Sequence, residues 1–237
     1  MGFLTSRGSR SSYQGTRRKP DAVSRIGEPP GYRQRTRQFE HRCAKCNDPA
    51  GAQRFAEESL ILQRELGNAR GTASSLINLG EALRAQQKLT TAAAVVAEAL
   101  LISREHDDKW RFALTSHNLG QIVLAQNDFH QAAQLFADSI QLYQQLGNKE
   151  GIAMCLAGAV GLAAKQGQWL RAARLCGATD GLLQTLNAHL DPPDADAYTP
   201  HVVATRALLD EATWATAWIT GQALSLDEAI AYSYSFE

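Results

Sequence analysis

The segment GTASSLINLG at residues 71–80 recurs in altered form as RFALTSHNLG at residues 111–120. The Asn-Leu-Gly triplets of the two segments coincide, and a third, looser copy runs from residue 146 to residue 185. Apolar residues recur at helical spacing within each copy. A repeat of this length predicts an array of helix pairs in which each pair packs against its neighbours.

Each copy is predicted to form two antiparallel helices, because only a short break separates its helical halves. A single helix is predicted before them, beginning at Pro49 with Asp48 as its cap, and it corresponds to the second helix of a pair. The predicted pairs span 70–86 with 89–105, 110–126 with 129–146, and 150–166 with 169–187.

Small residues are placed where the two helices of a pair should touch. Gly80 and Gly120 occupy the same position in successive copies, and we expect them to let the backbones approach. The larger residues Val96 and Phe136 are expected to fill the space between units. Replacing either glycine by leucine should therefore overpack a helix pair.

The pattern changes after residue 187. The segment DPPDAD at residues 191–196 predicts a break whose prolines end one helix and whose Asp194 or Asp196 begins the next. Helices are predicted at about 195–209, at 211–221, and from Leu226 to about Tyr234, the last with the capping box Ser225-Leu-Asp-Glu228. These helices are expected to cover the end of the array.

Trp214 and Trp218 lie one helical turn apart in this terminal region. We interpret them as part of the apolar cover, and a pair that stacks on a ligand is the alternative.

Residues 1–48 differ in composition from the rest of the chain. They hold nine Arg and two Lys against two Asp and two Glu, a balance of +7, whereas residues 49–237 carry a balance of −7. With almost no periodic apolar residues, the segment is predicted to be a disordered basic tail. One alternative is a stretch translated from a wrong start or a shifted frame. The other is an arm that binds nucleic acid or an anionic surface through Arg17, Arg18, Lys19, Arg33, Arg35 and Arg37.

The same tail contains a C-x-x-C motif at Cys43 and Cys46, with His41 nearby. A structural zinc site needs four ligands, and no second pair with matching spacing follows, so no metal site is predicted. No stretch approaches the ~18 apolar residues of a membrane-spanning helix. The amino terminus lacks the apolar core of a secretory signal, and a cytoplasmic protein without membrane contact is therefore predicted.

The spacing of the small and large positions resembles the tetratricopeptide motif. After the Leu-Gly pair comes an apolar residue three positions on, Ala at twelve, an apolar residue at sixteen, and Ala or Ser at nineteen. The period of 40 is longer than the motif's usual ~34 residues and is nearer HEAT or armadillo lengths. We expect the extra residues between units, as a longer second helix plus turn. The resemblance implies an all-α, right-handed α-solenoid over residues 49–190, with a helical cap over 191–237.

A wider stretch is similar to a particular group of repeat proteins. FADSIQLYQQLGNKEGIA at 136–153, GAVGLAAKQGQ at 158–168 and RAARLCGA at 171–178 resemble the carboxy-terminal repeat region of large bacterial signal-transduction ATPases and of LuxR-type or AfsR-like transcriptional regulators. The ending at 214–232 is similar to the tail of that region. The resemblance implies a sensor or interaction arm separated from its effector. No G-x-x-x-x-G-K-[ST] motif occurs in the chain.

The tetratricopeptide resemblance also implies a binding surface, because the first helices of such arrays line a concave groove that receives a peptide or a partner helix. The residues expected to face it are Ile77, Glu81, Arg84, His117, Gln121, Leu124 and Lys165, together with Ala157. Asn78 and Asn118 adjoin them, and local hydrogen bonding between helices is their alternative role. The alternative is that these residues have no role in binding and are simply exposed positions.

No catalytic constellation is visible at readable spacing, so neither an enzyme nor a cofactor is predicted. The predicted function is protein-protein interaction or signal sensing, with a protein or peptide as the partner. Nucleic-acid binding through the tail is the alternative.

Overall fold

A computed structural model describes residues 48–234, and every regular element within that range is an α-helix. The helices are α1 (Pro49–Glu65), α2 (Ala69–Ala85), α3 (Leu89–Glu105), α4 (Lys109–Ala125), α5 (Phe129–Leu146), α6 (Lys149–Lys165), α7 (Trp169–Leu186), α8 (Pro192–Leu208), α9 (Glu211–Gln222) and α10 (Leu226–Tyr234). Residues 1–47 of the basic tail, with its arginines and the Cys43–Cys46 motif, lie outside the described residues.

Each repeat consists of two halves of equal length. Left-handed residues, which end a helix, recur at a constant interval of half the period, at Gly67, Gln87, Asp107, Asn127, Gly147, Gly167 and Asn187. The helices α2, α3, α4 and α6 each contain 17 residues. The second helices α5 and α7 contain 18 residues, so a second helix exceeds the first helix of its pair by at most one residue, and the turn that closes it is the same.

Side-chain caps begin most of the repeat helices. The Asn68, Asp108 and Asn148 side chains each accept a hydrogen bond from the backbone amide three residues later, and these caps occupy the same position in successive copies. Asp48 caps α1 in the same way, as predicted, with 2.9 Å between its Oδ1 and the amide nitrogen of Gly51. A capping side chain satisfies one of the free amides of the first turn, which fixes where the helix starts.

The glycines hold neighbouring helices close together, as the sequence predicted. A Cβ at Gly80 would collide with the side chain of Val96 in the same pair. The Phe136 ring lies between two glycines: a Cβ at Gly120 or at Gly158 would come within 2.7 Å of a ring carbon. Because Gly120 is on α4 and Gly158 is on α6, the Phe136 ring fills the space between successive pairs.

The curvature of the array makes α2, α4 and α6 its inner helices. The first helices of neighbouring pairs contact one another more extensively than the second helices do. We call the surface formed by α2, α4 and α6 the inner face. The outer helices are α3, α5 and α7.

The helix α8 does not continue the array. It packs most extensively on α6 and less on α7, and its first turn reaches α2 and α4. It thus crosses the inner face instead of adding another layer to the end of the solenoid.

The start of α8 also corrects the sequence prediction. The prolines Pro192 and Pro193 form its first turn instead of ending the preceding helix, so α8 begins earlier than expected. Proline suits this position because its missing amide would have no partner there and its φ is already helical. The other helix boundaries lie close to their predicted positions.

The last helices close the carboxy-terminal end. The helix α9 packs tightly on α7, and α10 begins with the predicted capping box, in which Glu228 Oε2 accepts from the Ser225 amide at 2.8 Å. Trp214 is 8% exposed and belongs to an apolar cluster with Ala172 and Cys176 of α7. Trp218 donates from its indole nitrogen to Asp180, at 2.9 Å. Both tryptophans pack between helices, as the cover interpretation predicted.

None of the helices between residues 48 and 234 combines the length and apolarity needed to cross a membrane.

Candidate functional site

The residues predicted for the groove all lie on the inner helices, but four of them are buried. Ile77 on α2 and Leu124 on α4 are 4% and 2% exposed, Ala157 on α6 is 2% exposed, and His117 on α4 is 0% exposed. The expectation of exposed positions is therefore wrong for these four. Helix α8 contributes to this, since its first turn lies directly against His117.

The fully buried imidazole of His117 forms an ion pair with Asp194 in the first turn of α8. Its Nε2 lies 2.9 Å from Asp194 Oδ1. Burial alone would lower the pKa of His117, but the charge and hydrogen bond of the Asp194 carboxylate, and after them the Cys155 thiol, raise that pKa to about 10. The imidazole is therefore protonated at neutral pH, and Nε2–H donates to the carboxylate.

A second contact joins α8 to the inner helix α2, next to the α4 helix that carries His117. Arg84 Nη2 on α2 donates to the backbone oxygen of Pro193 at 3.0 Å. The two contacts hold adjacent residues of α8, so one turn of helix is bound by cationic side chains from two repeats.

Glu81 lies beside Arg84 and His117 and is only partly exposed. Its Oε1 accepts from Asn118 Nδ2 at 3.0 Å, which is the hydrogen bond between helices that was considered for this asparagine. Burial, and next the negative charge of Asp194, raise the pKa of Glu81 to about 7, against the opposing effects of Arg84, Asn118 and His117. We call Glu81, Arg84, His117, Asn118 and Asp194 the inner-face cluster.

Lys165 is engaged elsewhere. Its Nζ donates to the Leu124 backbone oxygen at 3.0 Å and to Asn127 Oδ1 at 3.0 Å, at the carboxyl end of α4. A cation at this end of a helix interacts favourably with its last carbonyls. Partial burial lowers the pKa of Lys165. Gln121 is half-buried on α4, and Ala157 is buried on α6.

Sequence reasoning did not assign Pro193 and Asp194 to the site, although Asp194 was considered as a helix start. One signal was available. When the three copies are aligned, His117 takes the place of the buried residues Ile77 and Ala157. A titratable group at a position that is otherwise apolar needs a polar partner from outside the repeat.

The inner-face cluster is suited to binding an acidic helix terminus. It offers two cations, a buried imidazolium and a guanidinium, to acceptors in the first turn of a helix. Within residues 48–234, no group of three or more histidine, cysteine or acidic side chains is arranged to hold a metal ion.

Comparison with known families agrees with this architecture. The described helices form an all-α repeat solenoid, which is the class of protein that the fold defines. The tetratricopeptide repeat family matches residues 72–106 and 112–146. These two ranges correspond to α2 with α3 and to α4 with α5, so the match covers two successive helix pairs. No curated protein matches the chain.

Proposed function

We propose that this protein is an interaction scaffold whose inner face receives a peptide or helical segment of a partner protein. The observation that carries the proposal is α8, a helix already held on that face by Arg84 and His117. Both residues belong to the set that the sequence predicts for partner binding. Laying a helix in a groove is a general mode of recognition, and here the chain provides an intramolecular example.

The proposal can be tested with a displayed library of unrelated peptides selected against the full chain. Amide hydrogen exchange then locates the bound peptides. We expect added protection in α2, α4 and α6, and protection confined to α3, α5 and α7 would contradict the proposal.

A matched pair of charge reversals sharpens the test. Arg84→Glu replaces the cation that binds the α8 carbonyl, whereas Arg104→Glu changes an exposed arginine at the end of the outer helix α3. Arg84→Glu should abolish binding of the selected peptides and Arg104→Glu should leave it intact. Equal loss in both variants would indicate a general charge effect.

The regulator resemblance adds a finer proposal, that the scaffold is a sensor arm of a bacterial transcriptional regulator or signal-transduction ATPase. Its support is the similarity of residues 136–178 to those repeat regions. The absence of enzymatic activity, the cytoplasmic location and the nucleic-acid alternative stay predictions, and the arginines of that alternative lie outside the described residues.

A further inference from the structure

We propose that α8 is a displaceable occupant of the inner face, and that the partner replacing it carries a carboxylate in the first turn of a helix. This inference rests on the proposed function, since it requires the inner face to bind a segment of another protein.

Most of the contacts of α8 are only partly buried, including those of Tyr198 and Val202 with the apolar cluster around Ala172 and Cys176. Thr205 is the one residue of α8 that is buried, whereas the equally long α6 buries 13 of its 17 residues. Val203 and Leu208 are 63% and 58% exposed. Burial of apolar surface is the main source of helix attachment, so α8 is attached more weakly than the helices beneath it.

Helix α8 is also a weak helix in itself. Pro200 lies inside it, where proline removes a backbone hydrogen bond. Asp191 stands at its start without making a side-chain cap. The polar contacts at Pro193 and Asp194 therefore matter more for its position than they would for a stable, well-buried helix.

Both ends of α8 are joined to helices that are anchored independently of it. The helix α7 belongs to the array, and α9 packs so closely on α7 that a Cβ at Gly177 or at Gly221 would collide with backbone atoms of the other helix. The segment between Leu186 and Glu211 can therefore leave the inner face while α9 stays in place.

The chemistry of the partner follows from what α8 provides. Once α8 leaves, Arg84 and His117 lose a carbonyl oxygen and a carboxylate. Without that carboxylate, burial lowers the pKa of His117 and the imidazole gives up its proton, while Arg84 is left without its carbonyl acceptor, so the best competitor supplies both acceptors at the same spacing. The beginning of a helix with an acidic residue in its first turn has this arrangement.

The test uses the full chain and a fluorescent peptide with the α8 sequence, LDPPDADAYTPHVVATRAL, which corresponds to residues 190–208. In the wild-type chain this peptide competes with a tethered copy whose effective concentration is ~mM, so its binding should be weak. Asp194→Asn in the chain removes the ion pair with His117 and should tighten peptide binding by at least about tenfold.

Asp196→Asn is the matched control, because Asp196 is exposed and lies two residues further along the same helix. It should leave peptide binding at the wild-type value. The same two changes are also made in the peptide, and each peptide is measured against the Asp194→Asn chain. The Asp194→Asn peptide should bind this chain more weakly than the unchanged peptide, and the Asp196→Asn peptide should bind it equally well. Equal binding of all peptides, or no tightening by Asp194→Asn, would overturn the inference.

Amide exchange of the wild-type chain gives a second measurement that does not depend on a variant folding. We expect the amides of α8 to exchange faster than those of α7 and α9. If the three helices exchange at the same rate, the inference that α8 is displaceable is also overturned. If library peptides bind the inner face while α8 stays protected, displacement fails and the scaffold proposal stands. If α8 opens and nothing binds the inner face, the scaffold proposal fails.

Discussion

The approach of α9 to α7 makes a sharp prediction about Gly177. A Cβ built at this position would lie 2.8 Å from the carbonyl carbon of Trp218 and 3.0 Å from the amide nitrogen of Gln222, and closer still to the Trp218 oxygen. These are backbone atoms, so no side-chain rotation can make room. Gly177→Ala should therefore move α9 away from α7.

The magnitude follows from two opposing effects. Non-bonded heavy atoms pack best at ~3.5–4.0 Å and the Trp218 oxygen lies far inside that distance, so α9 must retreat by more than about 1 Å, and overpacking of this kind costs ~1–3 kcal/mol. Alanine within a helix regains ~1 kcal/mol over glycine. We expect a net destabilisation of ~1–2 kcal/mol for Gly177→Ala, the difference between these two effects. At Gly181 the nearest backbone atom would lie at 3.3 Å, so Gly181→Ala should be nearly neutral because the two effects cancel.

The assay is urea unfolding, combined with amide exchange of α9 in the wild type and in both variants. Faster exchange of α9 in Gly177→Ala, with little change in Gly181→Ala, is the expected pattern. A Gly177→Ala protein at least as stable as the wild type, with α9 equally protected, would refute the close approach of these helices.

Three other predictions concern the repeats and the inner-face cluster. Gly120→Leu should overpack the pair against the Phe136 ring and cost ~1–3 kcal/mol, and an unchanged melting curve would contradict the packing. The pKa of Glu81 is raised from 4.5 to about 7, so this carboxyl destabilises the fold as pH rises from 4.5 through 7. Glu81→Gln should therefore increase the free energy of unfolding by ~1–2 kcal/mol at pH 8 and by little at pH 4. An equal increase at both pH values would contradict this explanation. The pKa of His117 is raised from 6.5 to about 10, so its contribution is complete below pH 6.5 and is lost as pH rises through 10. Protection of α8, corrected for intrinsic exchange, should decline over that range, and Asp194→Asn should remove the decline.

The repeat helices were predictable because their signals are local. Each turn follows the last at a constant interval, and the caps at Asp48, Asn68, Asp108 and Asn148 bind amides three residues away. The capping box of α10 likewise lies within four residues. Such spacings can be seen in a single sequence.

The placement of α8 was not predictable in this way. Arg84 and Pro193 are 109 residues apart, and His117 and Asp194 are 77 residues apart, with no repeat in the sequence to relate them. The ion pair of His117 depends on that placement. The tetratricopeptide resemblance predicts the inner helices but contains no sign that the same chain supplies a helix for their surface.

The crossing of α8 has a consequence for how the array unfolds. In a simple solenoid each unit touches only its neighbours, so stability is close to a sum along a line and the ends can fray independently. Helix α8 contacts α2, α4 and α6, and so links the first helix pair directly to the third. A mutation that destabilises one unit then also destabilises units that it does not contact. The array therefore unfolds as one cooperative unit for as long as α8 remains attached.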